Sequence, residues 1–357
     1  MALPLTPDYP AMEAKLVASL PEGPQWQYEP KWDGFRCLAF KDRSRVELRS
    51  KAGQPLDRYF PEIVDALLAL EGPHCVLDGE LVVPEGKLLS FDQLLMRIHP
   101  AASRVQKLSR EHPALYIVFD LLVDERGKSL VDAPLSQRRV ALERFAAREF
   151  RRVPSFSLSP AVRSRKDANA WFAVLGSGLD GVVAKRVDLP YQSGERTGMQ
   201  KYKRMRTADC VVGGFRYGTN SKLVGSLLLG LFDDSGLLHH VGFASNIAAS
   251  ERDAVTRTLE KLLAKPGFTG RAPGGPSRWS TARSGEWQPL KTKLVVEVQY
   301  DQFSGGRFRH GTKLLRWRPD KSPQRCTLAQ VEQESAQALA LFDTRAPGSV
   351  PRVRRSA

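Results

Sequence analysis

Short apolar runs bounded by turn residues dominate the first half of the chain. Residues 75–83 and 114–123 are nearly continuous apolar segments of strand length, and each predicts a buried β-strand. Between such runs, helical spacing predicts a helix that follows Ser136 as its N-cap and carries a stripe of Leu142, Phe145 and Ala146. A second helix is predicted after Asp167, with a stripe of Ala168, Trp171, Phe172 and Leu175. We expect these aromatic side chains to lie in the core.

The pattern changes near residue 206. Short apolar runs separated by turns then predict strands at 211–215, 226–232, 240–243 and 294–300. One helix interrupts them, opened by the capping-box pattern Ser250-x-x-Asp253, with Val255, Leu259 and Leu262 on one face. Short strands with a single helix predict a small Greek-key barrel of the OB type, a frequent platform for nucleic acids. We expect one domain over residues 1–206, the barrel over 207–330, and a C-terminal helix with a basic disordered tail at 331–357.

Composition and charge narrow the class of protein. The chain has 357 residues, 42% of them apolar, which suits two folded domains. Its formal net charge of +15 favours a polyanionic partner, although a solubilising basic surface explains such an excess as well. Its four cysteines are far apart and form no CxxC pair, which argues against a zinc site or a disulfide framework. Without a signal peptide or a run of roughly 18 apolar residues, we expect a cytoplasmic protein outside the membrane.

The most informative tetrapeptide is Lys-Trp-Asp-Gly at 31–34. Taken alone it is weak evidence, because Lys-x-Asp-Gly occurs by chance in about one chain in fifteen of this length. An exposed lysine in a turn is then the better explanation. A lysine that attacks a nucleotide phosphate must be deprotonated, so nearby cations or a metal should depress its pKa. The attack also requires cationic donors, a metal held by carboxylates, a wall for the base and a basic group on the leaving side.

The rest of the chain offers a candidate for each requirement. Asp-Gly-Glu at 78–80 places a carboxylate inside an apolar strand, where a charge needs a partner. Asp-Gly-Val-Val-Ala-Lys at 180–185 repeats an acid, a glycine, an apolar pair and a lysine. Lys201 and Lys203 alternate along a strand and so share a face. Phe119 lies in an apolar strand, where plain core is the default reading, and Arg-Pro-Asp-Lys at 318–321 lies in a basic run.

In this order and at these spacings, the motifs resemble the covalent nucleotidyltransferase superfamily of DNA ligases, RNA ligases and mRNA capping enzymes. The resemblance extends from about residue 10 to residue 325. Residues 91–105 and 206–215 look like the small bacterial ATP-dependent DNA ligases of the C type, and the ligase modules of end-joining enzymes are similar. The implied fold class is α+β: an ATP-grasp-like nucleotidyltransferase domain of antiparallel sheets and helices, followed by an OB-fold β-barrel domain.

The resemblance implies roles around the base and the ribose of ATP. Lys31 would be the adenylated nucleophile, with Glu29 near the adenine edge and Arg36 near the ribose and phosphates. Phe119 would stack on adenine, and Glu80 would act at the ribose and the metal.

Further roles are implied around the phosphates. Lys185, Lys201 and Lys203 would neutralise the α-phosphate, and Val183 would contact the nucleotide. Lys51 stands where the family has an arginine and so lacks the bidentate fork. Asp180 stands where many relatives have Glu, and its shorter reach favours a metal role through water. In the second domain the matching residues, which would orient the pyrophosphate, are Arg318, Asp320 and Lys321.

The implied activity is sealing of 5′-phosphate/3′-hydroxyl nicks in duplex DNA, with ATP and Mg²⁺ or Mn²⁺, in DNA repair. Because the motif at 318–321 is needed only for lysine adenylation, we expect the barrel to swing about a hinge near residues 205–208. We expect a monomer associated with the nucleoid, with other repair proteins as candidate partners. An RNA ligase of the same superfamily and a non-catalytic nucleic-acid-binding module are the alternatives.

Overall fold

The computed structural model describes residues 3–86, 88–175, 180–203, 205–274 and 286–331. The chain divides into two compact units, one containing the described residues up to Lys203 and the other those from Met205 to Val331. The first strand of the second unit begins at Arg206, so a boundary after residue 206 falls inside that strand. The helix and tail expected at 331–357 lie outside the described residues apart from Val331.

The first unit contains two main sheets, a small hairpin and five helices among its described residues. In chain order these elements are β1 (Lys15–Leu16), β2 (Trp26–Lys31), β3 (Phe35–Asp42), β4 (Arg45–Ser50), α1 (Pro61–Leu68), β5 (His74–Val82), β6 (Pro84–Glu85), β7 (Leu88–Leu89), α2 (Phe91–Met96), α3 (Ala102–Glu111), β8 (Leu115–Val123), α4 (Leu135–Glu149), β9 (Phe156–Leu158), α5 (Arg165–Leu175), β10 (Gly181–Arg186) and β11 (Met199–Lys203).

The two sheets of the first unit are largely antiparallel, as expected. One has the strand order β1-β11-β10-β2 and the other the order β4-β3-β5-β8-β9. The pairs β1–β11 and β8–β9 are parallel, and both join strands separated by long connections, as parallel pairing requires. The predicted strands at 75–83 and 114–123 are confirmed as β5 and β8, at the centre of the five-stranded sheet.

Helices cover the five-stranded sheet and bury its apolar side chains. Phe60, Ile63 and Leu67 from the region of α1, and Leu142 and Phe145 from α4, belong to one core cluster with the sheet. All four cysteines of the chain are free and buried. None of the helices in the described ranges has the length and hydropathy needed to cross a lipid bilayer.

Two predicted helix starts in the first unit are wrong by a few residues. Helix α4 begins at Leu135 with Pro134 as its N-cap, so Ser136 lies inside the first turn. Helix α5 begins at Arg165, before Asp167, and the Ser164 hydroxyl accepts a hydrogen bond from the Lys166 backbone N–H at 3.1 Å. Ser164 therefore caps α5, whereas Pro134, with an extended backbone, precedes α4.

The second unit contains a six-stranded sheet, a two-stranded hairpin and one α-helix among its described elements, in agreement with the expected OB fold. In chain order its elements are β12 (Arg206–Tyr217), β13 (Val224–Phe232), β14 (Leu238–Ala244), α6 (Arg252–Glu260), β15 (Gln288–Pro289), β16 (Val295–Tyr300), β17 (Phe303–Ser304), β18 (Arg307–Phe308) and β19 (Lys313–Trp317). The main sheet has the order β14-β13-β12-β16-β19, and a parallel bridge between Ala244 and Thr312 joins its two edges.

The capping box predicted for the barrel's helix is wrong. Helix α6 begins at Arg252 with Glu251 as its N-cap, and no side chain caps it. Leu259 is buried in the barrel core as predicted, but Leu262 lies beyond the helix end at Glu260 and packs on the core from there. The apolar pattern therefore identified the buried face correctly while overestimating the length of the helix.

Candidate active site

A cavity of about 190 Å³ lies in the first unit, lined by side chains from both of its main sheets. The sequence-predicted residues that line it are Glu29, Lys31, Arg36, Lys51, Glu80, Phe119, Val183, Lys185 and Lys201. Asp180 reaches Lys31 from the start of β10, whereas Lys203, two residues beyond Lys201, does not line the cavity. The motifs scattered over the first 203 residues therefore meet in one place.

Strand register explains how these residues come together. On one sheet Glu29 pairs with Val183, and Val183 pairs with Lys201, so the three form a row across β2, β10 and β11. On the other sheet Arg36 of β3 pairs directly with Glu80 of β5. Directly paired residues place their side chains on the same face of a sheet. Each face therefore presents its charged groups to the cavity.

The glycines of two motifs are required by close backbone approach. A Cβ at Gly34 would overlap the carbonyl oxygen of Leu81, and one at Gly181 would overlap the carbonyl oxygen of Tyr202. Gly181 is also the residue paired with Lys31 across β2 and β10. The glycine in each acid-glycine motif therefore lets a neighbouring strand approach the cavity wall closely.

Lys31 ends β2 and forms an ion pair with Asp180. Burial acts to lower the pKa of Lys31, but Asp180, Glu80 and Asp33 together hold that pKa above its ordinary value. The charges nearest the ammonium group are therefore carboxylates, and a pKa depressed by nearby cations or a metal stays a prediction.

The same carboxylates fit a divalent cation. The Oδ1 atom of Asp180 is buried and has no hydrogen-bond partner among the described residues. Burial raises the pKa of Glu80 to about 7 even though Lys31 and Arg36 lower it, so this group needs more positive charge to ionise fully at neutral pH. No group of three or more His, Cys, Asp or Glu side chains is placed to hold a metal ion by itself in the described part of the chain. Two carboxylates suit Mg²⁺, which uses one or two of them together with substrate phosphates and water.

Phe119 forms a wall of the cavity rather than plain core. Its side chain is buried, and the centre of its ring lies 4.6 Å from Arg36 Cζ and 4.3 Å from Lys185 Nζ. Met12, Met199 and Val183 supply further apolar lining. An aromatic ring with apolar neighbours suits a planar base, and the two cations bind the electron-rich face of the ring.

The polar end of the cavity is a buried ion pair. Lys185 Nζ donates to Glu29 Oε2 at 2.8 Å, and Gln27 Nε2 donates to Glu29 Oε1 at 2.9 Å. All three side chains are buried. The expected role of Lys185 at the α-phosphate stays a prediction, and in the structure its ammonium group binds this carboxylate.

Two other lysines, Lys201 and Lys51, line the same cavity. Burial and the neighbouring Lys31, Lys51 and Lys203 lower the pKa of Lys201. Lys51 is half exposed, and its Nζ lies 3.2 Å from Glu13 Oε1, which sequence reasoning did not single out. This pair gives the lysine a counter-ion across the cavity rim.

Sequence reasoning also missed the network that holds Arg36. Arg36 binds the buried Asp78 through two nitrogens, with Nη2 at 2.6 Å from Oδ2. The Tyr191 hydroxyl donates to the same Oδ2 at 2.7 Å and accepts from the Met12 backbone N–H at 2.9 Å. The signal for Asp78 was present, because a carboxylate inside an apolar strand needs a partner. Tyr191 carried no such signal.

In the second unit, a single carboxylate holds both basic residues of the 318–321 motif. Asp209 accepts from Arg318 Nη1 at 3.0 Å and from Lys321 Nζ at 2.6 Å. Arg318 also binds Asp320, with Nη2 at 2.8 Å from Oδ2. Asp209 is more than a hundred residues away along the chain, so no spacing rule indicates it.

Two protein-family models match the chain, one in each unit. A family model described as ATP dependent DNA ligase domain matches residues 11–203, and one described as ATP dependent DNA ligase C terminal region matches residues 220–321. Together these matches cover most of the chain. The chain belongs to the ATP-dependent DNA ligases.

Proteins similar to this ligase over most of its length are also named DNA ligases. The ligase is 42% identical to DNA ligase C2 of Mycolicibacterium smegmatis over 353 residues, covering 93% of this chain and 96% of that protein. It is 40% identical over 353 residues to DNA ligase C of Mycobacterium tuberculosis, with the same coverage of both chains. To the multifunctional non-homologous end joining protein LigD of Mycobacterium bovis it is 32% identical over 306 residues, covering 84% of this chain and 37% of that protein.

A solved structure of a Lig E DNA ligase shares the fold of this ligase. It has a TM-score of 0.54 at 16% identity and covers 87% of this chain and 99% of that one. Family membership makes ATP the nucleotide cofactor of the ligase.

Proposed function

We propose that this chain seals 5′-phosphate/3′-hydroxyl nicks in duplex DNA through a lysyl-AMP intermediate on Lys31. The observation that carries the proposal is one cavity that combines a strand-end lysine, two carboxylates beside it and an aromatic wall. The basic net charge of +15 supports a polyanionic substrate. The end-joining name of one relative supports a role in DNA repair.

In the first step, Nζ of deprotonated Lys31 attacks the α-phosphorus of ATP. A P–N bond forms while the bond to the pyrophosphate oxygen breaks, and pyrophosphate leaves opposite the attacking nitrogen. Lys201 is the cation we assign to the α-phosphate, because it lines the cavity in the same row as Glu29 and Val183. Arg318 and Lys321 are assigned to the leaving pyrophosphate, which requires them to exchange Asp209 for phosphate oxygens.

In the second step, an oxygen of the 5′-phosphate at the nick attacks the phosphorus of lysyl-AMP. A pyrophosphate linkage forms and Lys31 is released. In the third step, the 3′-hydroxyl attacks the 5′-phosphorus, so that the phosphodiester forms, AMP leaves and the hydroxyl proton passes to solvent. We assign the 5′-phosphate to Lys51, whose exposed ammonium group lies at the cavity rim.

Glu80 and Asp180 are the groups we assign to a divalent cation, Mg²⁺ or Mn²⁺. Such a cation, when bound, would supply positive charge beside the α-phosphate and weaken the hold of these carboxylates on the Lys31 proton. The orphaned Oδ1 of Asp180 and the raised pKa of Glu80 support this assignment.

At the other end of the cavity, Phe119 and Val183 are assigned to the faces of adenine. Glu29 and Lys185 are assigned to its edge, since an acceptor and a donor lie side by side there. Arg36 is assigned to the ribose and phosphates.

Labelled ATP tests this proposal directly. With magnesium, the wild-type protein should form a covalent, acid-labile AMP adduct that Lys31→Ala abolishes. Lys15→Ala is the matched control, because Lys15 is an exposed lysine of the same sheet and should label normally. A wild type that takes no label, or a Lys31→Ala variant that still takes it, contradicts the proposal.

Nick-sealing assays then test the substrate. We expect closure of a nick in duplex DNA with ATP, and no closure with GTP or NAD⁺. Sealing only of nicks with an RNA 3′ end would favour the RNA ligase alternative. Nick binding without labelling or sealing would favour the non-catalytic module.

A further inference from the structure

Gln27 lies next to the polar end of the cavity, where it donates a hydrogen bond to the lining residue Glu29. It is almost fully buried, with 4% of its surface exposed, and it does not line the cavity. Gln27 and Glu29 are two residues apart on β2, so their side chains share a face, and Lys185 is the residue paired with Gln27 across β10. The three side chains therefore form one chain of hydrogen bonds, with Glu29 in the middle.

The roles of donor and acceptor in this chain are fixed by chemistry. Lys185 can only donate, and the ionised carboxylate of Glu29 can only accept. The amide of Gln27 must therefore present its NH₂ group to Glu29 Oε1, which it does at 2.9 Å. Each oxygen of Glu29 thus has one donor from the protein, from Gln27 on one side and from Lys185 on the other.

The acceptor Glu29 and the donor Lys185 lie side by side, and this order complements the hydrogen-bonding edge of adenine but not that of guanine. Adenine offers an amino donor at N6 next to the acceptor N1, whereas guanine offers the acceptor O6 next to the N1–H donor. Glu29 and Lys185 can satisfy the adenine pattern. Against guanine, a carboxylate oxygen would face O6, so that O6 has no donor there and two acceptors repel each other in a buried site.

The discrimination depends on the Glu29 carboxylate staying in place. If Glu29 turned away from the base edge, guanine O6 would no longer face an acceptor and the preference would weaken. Two hydrogen bonds donated from fixed strands hold the plane of the carboxylate. Lys185, which lines the cavity, donates one of these hydrogen bonds, and Gln27, which does not line it, donates the other.

We propose that Gln27 is a positioning residue that sets the base specificity of the adenylation site. It holds Glu29 as a fixed acceptor for the amino group of adenine while making no contact with the nucleotide. The inference rests on the proposed function, because it assumes that ATP binds with its base at Glu29 and Lys185.

The test compares Gln27→Leu with wild type in lysine adenylation by labelled ATP and by labelled GTP. Leucine has a similar volume but donates no hydrogen bond. We expect the KM for ATP to rise about tenfold, the ratio of kcat/KM for ATP over GTP to fall by about tenfold or more, and the maximal rate with ATP to stay within about twofold. The thermal midpoint should shift by only a few degrees, and Gln93→Leu, a matched amide on α2 away from the cavity, should leave the ratio unchanged.

An unchanged ratio of ATP over GTP in folded Gln27→Leu overturns the proposal. If Gln27→Leu does not fold, Gln27→Glu decides the matter, because it keeps the shape of the side chain but removes the amide donor to Glu29. That variant should also accept GTP more readily, and a wild-type ratio in it overturns the proposal equally. A wild type without any AMP adduct would instead refute the proposed function, so the two failures are distinguishable.

Discussion

At the scale of single residues, the site is organised by carboxylates that hold its cations in advance. Asp180 holds Lys31, Glu29 holds Lys185 and Asp78 holds Arg36. A buried ion pair adds little net stability, because desolvation of both groups offsets their attraction. Under the proposed function, each pair fixes a cation in position before the nucleotide binds, which lowers the entropic cost of binding.

Removing the Tyr191 hydroxyl tests the positioning of Arg36. In Tyr191→Phe, Asp78 loses one of its hydrogen bonds, so Arg36 is held less firmly over Phe119. We expect the KM for ATP in lysine adenylation to rise between about threefold and tenfold, with little change in maximal rate. Adenylation kinetics with labelled ATP would measure this.

Tyr116→Phe provides the control for that change. Its hydroxyl is equally buried and bonds two backbone carbonyls, those of Cys37 and Leu77, but it does not line the cavity. It should lower the thermal midpoint without moving the KM. Equal KM effects in both variants would mean that Tyr191 has only a structural role.

Sequence alone indicated most residues of the cavity but not the partners that hold them. Lys31, Glu80 and Lys185 belong to motifs with recognisable spacing. Gln27 and Tyr191 reach the cavity residues through hydrogen bonds to Glu29 and Asp78, and such contacts depend on strand register and loop path, which spacing does not encode. The raised pKa of Lys31 could not be read from the sequence for the same reason, since it depends on which charged groups lie nearest.

At the scale of elements, Arg97 joins three helices of the first unit. It follows the end of α2, is fully buried, and binds Glu62 of α1 through Nη1 at 2.7 Å and Nη2 at 2.8 Å. It also donates to the carbonyl oxygens of Tyr59 and of His112, which ends α3. This arginine lies in the segment 91–105 that resembles the bacterial ligases.

Arg97→Ala should destabilise the first unit strongly. The change leaves the partly buried Glu62 without its main partner, and breaking a buried pair typically costs about 3–5 kcal/mol of unfolding free energy. Denaturant unfolding would measure the loss. Arg104→Ala, at an exposed arginine of α3, should cost less than about 0.5 kcal/mol, and a similar cost in both variants would contradict this reasoning.

His240 makes the barrel sensitive to acid. Burial, together with Arg307, Arg216 and Arg271, lowers its pKa from 6.5 to about 3. Between those values the unfolded chain binds a proton that the folded barrel does not, so this residue reduces stability as the pH falls from about 6.5 towards 3. Above about pH 6.5 the imidazole is neutral in both the folded and the unfolded chain, so it no longer changes the stability.

His240→Phe should remove this component of the acid sensitivity. The thermal midpoint of the variant should fall less than that of wild type between pH 7 and pH 5. Phenylalanine keeps a ring against Phe268, whose centre lies 5.4 Å from that of His240. Parallel pH profiles for the two proteins would show that His240 is not responsible.

Element types were predictable from the sequence, whereas element ends were not. Strands β5 and β8 are read from their apolar runs, because buried strands need apolar residues on both faces. Helix starts failed at Ser136 and Ser250, where a good capping residue lay near the start without capping it. Several serines and acids compete as caps, and the backbone path into the helix decides among them.

At the scale of the whole molecule, the ligase divides its proposed chemistry between two units. The nucleophile lies in the first unit, and the basic pair at 318 and 321 lies in the second, held by Asp209. We proposed that this pair handles only the leaving pyrophosphate. Sealing of DNA that already carries AMP should then not need it.

A double variant tests this division. Arg318→Ala with Lys321→Ala should slow lysine adenylation by about a hundredfold, because the pyrophosphate loses its cationic donors. Closure of a pre-adenylated nick should stay within about threefold of wild type. Arg316→Ala, an exposed arginine of the same strand region, should leave both steps intact. Equal losses in both steps would refute the division of labour.

The buried cysteines have a practical consequence for following such steps. Burial raises the pKa of the Cys75 thiol to about 12 and that of Cys326 to about 11, and the pKa values of Cys37 and Cys210 are also well above ordinary. The folded chain therefore offers maleimides no reactive thiolate. Cysteines introduced at the exposed Leu68 and Leu237, one in each unit, would be the reactive ones, so a fluorophore pair could record the distance between the units through a catalytic cycle without a cysteine-free background.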